Sequence, residues 1–184
     1  MVFEFRTEEF LEYTPMIKEA FFNTVSISLI SAVCAFIVGV LMALGRQSSV
    51  KIVRYPAAVY VEFFRNTPLL IQIFIYYYGL PSLGLDISAY VCGILGLTFY
   101  TGAYITEVVR SGLQTIAKEQ YEASNALGLS KFQTMWLVIF PQAFRIIIPP
   151  LGNQFINLKK NSSLVSFSTV VDTFYVAFRI NVEF

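Results

Sequence analysis

The stretch from Phe21 to Leu44 contains no charged side chain. As an α-helix, a stretch of this length would reach about 36 Å, enough to cross a hydrocarbon layer of about 30 Å. Composition agrees, because 56% of the 184 residues are hydrophobic and only 14% are charged. That balance is too apolar for a soluble domain of this length. The bilayer is therefore the expected solvent for this chain.

Three further stretches are candidate spans. Asn66 to Leu85 is free of charge, and because Pro56 precedes it we expect its helix to begin near Ala57. The next charge-free stretch runs from Ile87 to Thr106, and a last one is interrupted by a pair of lysines. The sequence thus predicts an all-α membrane protein, a transmembrane helix bundle forming a single domain over 1–184. The predicted spans are 20–44, 57–79, 87–109 and 144–171.

Orientation follows from the basic residues between the spans, which favour the cytoplasmic side. They lie between the first two spans and after the third: Arg46, Lys51, Arg54, Arg110, Lys118 and Lys131. The turn Leu80 to Asp86 has no basic residue, and the N-terminal tail is mainly acidic. We therefore expect the N-terminus outside. A cleavable signal peptide fits poorly, since a basic leading region is missing and the first apolar run is too long.

Several functional classes are disfavoured. The net charge is +1 with no basic block, so a nucleic-acid surface is not expected. Histidine is absent, and the sequence has neither a phosphate-binding Gly-x-x-x-x-Gly-Lys-Ser/Thr string nor the serine or zinc motifs of hydrolases. Cys34 and Cys92 lie in apolar runs and are interpreted as packing residues. We expect no enzyme activity, no cofactor and no metal.

Small residues recur every four positions in the first span, at Ser31, Ala35, Gly39 and Ala43. This spacing places them on one helix face, where another backbone can approach closely. Packing inside the subunit is the favoured interpretation, and a contact between two subunits is the alternative.

The segment 111–133 is predicted to be a cytoplasmic loop with its own short helix. Good helix-forming residues lead to Gly128, which can end a helix in the left-handed conformation. Ser130 followed by Gln133 has the pattern of a capping box that starts another helix, which Pro141 would limit or kink. On local physics this segment is either an ordinary connection or a docking element.

Glu122-Ala123-Ser124, Gly128, Ile139 and Pro141 together resemble the EAA motif of ABC importer permeases, with serine at the third position. The strings 64–70, 149–156 and 160–166 are similar to the polar amino acid permease family in the same order. The resemblance implies a type I ABC importer permease fold with five spans. Only four are visible here, so an expected C-terminal span is missing, or the tail packs in another way.

The resemblance also implies partners and a location. It implies an ABC ATP-binding subunit dimer that hydrolyses ATP, a second permease copy or paralogue, an extracytoplasmic solute-binding protein, and a bacterial plasma membrane with its lipid. The substrate would be a polar amino acid, its identity left open, as is the choice between homodimer and heterodimer. The residues expected to couple to the ATPase are Glu119, Tyr121, Glu122, Ala123, Ser124, Gly128 and Pro141.

Polar residues within the last span are costly in lipid, so we expect them to line a water-filled path or face the partner permease. The candidates for the translocation pathway are Asn153, Gln154, Asn157, Lys159, Lys160, Asn161, Ser162, Ser163, Glu62 and Arg65. Lysines would suit a substrate carboxylate, unless they mark a helix end and extend to the interface. Glu62 and Arg65 are three apart, and a mutual ion pair is favoured over a gating role.

Two other functions stay open at this point. A passive channel or secondary transporter would work without an ATPase, and ATP-independent uptake into vesicles would establish it. A membrane scaffold that assembles without moving substrate is the other alternative.

Overall fold

The computed structural model describes residues 13–168 and 170–183 as a bundle of helices. The acidic tail up to Glu12, used above for orientation, lies outside these residues. The described residues contain seven helical segments: α1 Thr14–Gln47, α2 Lys51–Asn66, α3 Leu69–Ser82, α4 Ala89–Gln114, α5 Lys118–Ala126, α6 Lys131–Ser168 and α7 Thr173–Glu183. Among the described residues, α1, α4 and α6 are long and apolar enough to cross a membrane, and α3 is a shorter apolar helix.

Helices α1 and α4 pack side by side in the same direction. At one end the Tyr90 hydroxyl donates to Ser26 Oγ at 2.8 Å, and towards the other Thr106 Oγ1 donates to the Gly39 carbonyl at 3.2 Å. Gly39 lies so close to Ile105 that an added Cβ would come within 2.5 Å of its Cγ2 atom. The small residues of α1 therefore let two backbones approach closely.

The small-residue stripe of α1 is buried inside the subunit. Its four members are all buried: Ser31, Ala35, Gly39 and Ala43. Ala35 belongs to a cluster with Ile105 of α4 and Leu158 of α6. The favoured interpretation, packing within the subunit, is confirmed.

Helix α4 is the centre of the bundle, since it contacts α1, α2, α3 and α6. Helix α6 runs in the opposite direction to α4, because Gly112 of α4 lies against Ile147 and Gly93 lies against Val165. These two close approaches bring the polar end of α6 beside the middle of α4.

The second predicted span, 57–79, is not one helix. Helix α2 starts earlier, at Lys51, and the chain is extended at Thr67 and Pro68 before α3 begins. Proline has no N–H to offer the carbonyl of Phe64, four residues earlier. The buried side chain of Gln72 takes the place of that missing donor. Its Nε2 donates to the Phe64 carbonyl at 3.0 Å and to the Thr67 carbonyl at 2.9 Å.

Most of the last predicted span, 144–171, belongs to a longer helix, which runs from Lys131 to Ser168. Helix α6 begins at Lys131, directly after the capping box of Ser130 and Gln133, which the structure confirms. Pro141 neither ends nor breaks it. A wider π-helical turn, Thr134–Ile139, precedes the proline, and Phe140 N–H bonds to the Met135 carbonyl five residues back. The local change in hydrogen bonding accommodates the missing proline donor.

The C-terminal tail folds back on the first helix. Helix α7 lies against the beginning of α1, where Asn23 Nδ2 donates to the Val171 carbonyl at 3.0 Å and Thr173 N–H donates to Thr24 Oγ1 at 3.1 Å. The buried Val176 faces the same side. Among the described residues, α7 packs on the beginning of α1, and no fifth crossing is present.

Asp172 is buried and caps the beginning of α7. Its replacement should alter the stability of the protein by an amount that depends on pH. It is 2% exposed, and Oδ1 accepts the Tyr175 N–H at 2.8 Å. Burial raises the pKa of the Asp172 carboxyl, and the backbone N–H groups of Tyr175 and Phe174 oppose this less strongly. A folded pKa above the unfolded value of about 3.9 means that the charge destabilises the fold at neutral pH and that the penalty fades as pH falls.

We therefore expect Asp172→Asn, which keeps the capping oxygen, to unfold at a higher temperature than the native protein at pH 7. The difference should shrink towards pH 4. Asp172→Ala also removes the cap, at a cost of about 1 kcal/mol. Thermal unfolding in detergent between pH 4 and 8 measures all three proteins, and an asparagine variant less stable than native at pH 7 would contradict the expectation.

Candidate translocation cavity and coupling helix

A polar cavity of about 260 Å³ lies between α4 and α6. Its lining residues carry hydroxyl, amide and ammonium groups. The residues are Tyr100, Thr101, Tyr104, Gln154, Asn157, Lys160 and Asn161. Such groups are expensive against lipid, so a water-filled space suits them.

One wall of the cavity comes from four of the residues that the sequence singled out. Gln154, Asn157 and Asn161 are spaced three and four apart, so α6 places them on one face, with Lys160 beside them. The amides offer both donors and acceptors, and the ammonium offers donors and a positive charge. This wall can bind a carboxylate together with neutral polar groups.

The opposite wall was missed by the sequence analysis. Tyr100 and Tyr104 lie four apart on α4, and their hydroxyls are 3.4 Å from each other. Thr101 lies beside them and is buried. The signal was present in the sequence, because two phenols one helical turn apart in a charge-free span mark a polar stripe on one face.

The other predicted pathway residues lie elsewhere. Asn153 and Lys159 are exposed and are not among the residues that line the cavity. Ser162 and Ser163 donate to the carbonyls of Lys159 and Lys160, at 2.8 and 2.9 Å. These two hydroxyls therefore satisfy backbone groups at the end of the α-helical part of α6.

The predicted ion pair between Glu62 and Arg65 is not formed. Asn66 Nδ2 donates to the Glu62 carboxylate at 3.3 Å and to its carbonyl at 2.8 Å. The Arg65 guanidinium lies 5.2 Å from the ring centre of Tyr104, a cation–π distance. Glu62 is therefore bound by Asn66, and Arg65 lies against Tyr104. This contact brings Arg65 to the edge of the cavity.

A charged cluster joins the ends of α1 and α4 one helical turn beyond Tyr104. Glu107 bonds to Arg110 on the same helix and lies 3.5 Å from Arg46 of α1. Arg110 also donates to Gln114 Oε1 at 2.6 Å. In the sequence the two arginines indicate only orientation and Glu107 gives no signal, because the pairing of these charges depends on how α1 and α4 pack.

The predicted coupling loop contains the short helix α5. Glu119, Glu122 and Ala123 are exposed on it, as a docking surface requires. Ser124 is buried, and its hydroxyl donates to the Gln120 carbonyl at 2.7 Å. The buried hydroxyl of the serine in the third motif position is therefore satisfied within the helix.

Tyr121 faces the body of the subunit. It packs against the buried cluster that contains Leu113, Ile116 and Ile139. Tyr121, one of the residues expected to couple to the ATPase, holds α5 to α4 and α6. Gln142 Nε2 adds a bond to Gln120 Oε1 at 3.2 Å.

The turn after α5 has the geometry predicted for Gly128. Its φ is +74°, Gly128 N–H bonds to the Asn125 carbonyl at 3.0 Å, and Leu129 N–H bonds to the Ser124 carbonyl at 3.1 Å. These two bonds form a Schellman motif, in which glycine avoids the Cβ clash of the left-handed conformation. Leu127, just before it, is 80% exposed and was not named from sequence. Pro141 is exposed on α6.

Comparison with known proteins decides the family. Residues 35–181 match the model of the binding-protein-dependent transport system inner membrane component. The chain belongs to this family of transport permeases. It is similar to the probable glutamine ABC transporter permease GlnM of Bacillus subtilis, with 41% identity over 88% of this chain and 75% of that protein. The L-cystine transport permease TcyB of the same organism is 34% identical over 88% of this chain and 69% of that protein.

A solved structure gives the same result for the fold. The crystal structure of an amino acid ABC transporter with histidines matches this permease with a TM-score of 0.89 and 33% identity, covering 98% of this chain and 83% of that one. The predicted family and the all-α fold of a type I ABC importer permease are confirmed. The protein is a membrane-spanning transport component of the amino-acid ABC permease family.

Proposed function

We propose that this chain is the permease subunit of an ATP-driven importer of polar amino acids, and that α5 couples it to a separate ATP-hydrolysing subunit. The observation that carries the proposal is the geometry of α5, which presents Glu119 and Glu122 outward and is bound to its own subunit through Tyr121. A docking helix that is rigidly attached can transmit a push to the spans behind it. Gly128 fixes the angle at which α5 meets α6.

The docking surface combines charge with an apolar tip. Carboxylates at Glu119 and Glu122 can accept charge-assisted hydrogen bonds from basic groups of the partner. Leu127 adds exposed apolar area at the end of the helix. We expect Ala123 to lie at the contact, whereas Ser124, Gly128 and Pro141 act on the shape of the element.

The cavity between α4 and α6 is the proposed part of the translocation path, with Arg65 at its edge. Lys160 would bind the carboxylate of the amino acid, and the amides would bind its polar groups. Relatives named for glutamine and L-cystine support a polar amino acid. Further partners are a second permease copy or paralogue and an extracytoplasmic solute-binding protein. The proposed location is the bacterial plasma membrane, with the N-terminus outside.

Co-expression with an ATP-binding subunit tests the coupling role. We expect the native chain to co-purify with that subunit and to support ATP-dependent amino acid uptake in vesicles. Replacing both Glu119 and Glu122 by glutamine removes two charges without changing shape. Retention and uptake should each fall at least tenfold, because charged hydrogen bonds are typically worth about 1.5–3 kcal/mol each.

Glu19→Gln is the matched control, since Glu19 is exposed on α1 far from α5 in the chain. It should leave both readouts unchanged. Equal retention of the double variant would overturn the coupling role of these carboxylates. Uptake by the chain without any ATP-binding subunit would support a channel or secondary transporter instead.

A further inference from the structure

The charges around the cavity bear on which amino acids it accepts. We infer, on the basis of the proposed transport function, that the cavity selects amino acids with a neutral polar or anionic side chain and rejects those with a cationic side chain. Lys160 lines the cavity, and the Arg65 guanidinium lies over Tyr104, another lining residue. One positive charge thus lines the cavity, and a second, from another helix, lies against a tyrosine of its wall.

A counter-charge for a cationic substrate is missing. Among the described residues that line the cavity, none carries a carboxylate. Glu107 lies one turn beyond Tyr104, but Arg46 and Arg110 already engage it. A lysine or arginine substrate would therefore place its side-chain charge near like charges without an available acid.

Neutral polar side chains have suitable partners in the same lining. The amides of Gln154, Asn157 and Asn161 can each donate and accept hydrogen bonds, which matches a carboxamide or a hydroxyl. Every amino acid also brings an α-carboxylate, which Lys160 can bind. An anionic side chain would find Arg65 as a second cation. The selectivity therefore depends on the side chain of the substrate.

The test measures binding to the purified permease in complex with its ATP-binding subunits, without a solute-binding protein, because that protein would impose a selectivity of its own. Calorimetry gives the affinities of glutamine, glutamate, arginine and lysine. We expect glutamine and glutamate to bind at least tenfold more tightly than arginine and lysine. Lys160→Glu should reverse that order.

Lys159→Glu is the matched control, because it makes the same charge change on an adjacent, equally exposed residue that does not line the cavity. It should keep the native order. If Lys160→Glu does not assemble, Lys160→Gln should still reduce the glutamate-to-arginine affinity ratio at least threefold. Arginine binding as tightly as glutamine in the native complex, an equal effect of the two glutamate variants, or no binding of any amino acid would overturn the inference.

The charge selectivity of the cavity and the proposed importer function can fail independently. ATP-dependent uptake that prefers arginine would leave the importer role intact and remove only the charge selectivity. Loss of ATP dependence with the selectivity retained would remove the importer role and leave the charge selectivity intact.

Discussion

Gln72→Leu is expected to destabilise the permease strongly, and far more than the same exchange at the exposed Gln47. The native amide donates to the carbonyls of Phe64 and Thr67, on the other side of the break between α2 and α3. Leucine has a similar size but no donor, so both carbonyls would lose this partner inside the protein. A buried group left without a hydrogen bond costs about 1–3 kcal/mol.

The measurement is the free energy of unfolding in mixed micelles, with Gln47→Leu as the control. Gln47 is exposed at the end of α1, so the same chemical change there should stay within about 0.5 kcal/mol. The Gln72 Oε1 atom has no partner among the described residues, so its loss costs nothing. An effect of Gln72→Leu as small as that of the control would contradict the bridging role.

A second substitution separates the bridge from simple loss of packing. Pro68→Ala supplies an N–H four residues after Phe64, which a continuous helix could donate to the orphaned carbonyl. We expect Pro68→Ala to recover part of the stability lost in Gln72→Leu. If the two changes are additive in the double variant, the two residues do not share the Phe64 carbonyl.

Gly39→Ala is expected to lower the stability through a steric clash between α1 and α4. An added Cβ would meet Ile105 Cγ2 at 2.5 Å, Ile105 Cβ at 2.7 Å and the Gly102 carbonyl at 3.1 Å. The Ile105 Cβ and the carbonyl cannot rotate away, so the two helices must separate. Overpacking of this kind typically costs about 1–3 kcal/mol.

The same exchange at Gly79 should leave the stability of the protein unchanged or raise it. A Cβ there would meet only Ile75 Cγ2, at an ordinary 3.8 Å. Alanine is favoured over glycine in a helix by about 1 kcal/mol, so Gly79→Ala should be neutral or stabilising. Thermal unfolding of both variants in detergent decides the matter. A Gly39→Ala protein as stable as the Gly79→Ala protein would mean that α1 and α4 can separate without cost.

Sequence alone determined the features that depend on neighbours along the chain. The charge-free first span, the glycine that ends α5 and the capping box of Ser130 and Gln133 all follow from local chemistry, and the structure contains each of them. The motif around Glu122, together with the strings 64–70, 149–156 and 160–166, predicted the family. Polar residues on α6 were expected to line a water-filled path or face a partner because such groups are costly in lipid, and in the structure four of them lie in the lining of a cavity.

Tertiary structure decided whatever depends on which helices meet. Tyr100 and Tyr104 became a cavity wall only because α4 lies opposite α6. Arg65 faces Tyr104 and not Glu62 because α2 ends at Asn66 and packs on α4. Glu107 joins two helices through Arg46, more than 50 residues away in the chain. Sequence periodicity gives the face of a helix, whereas the partner of that face depends on packing between distant segments.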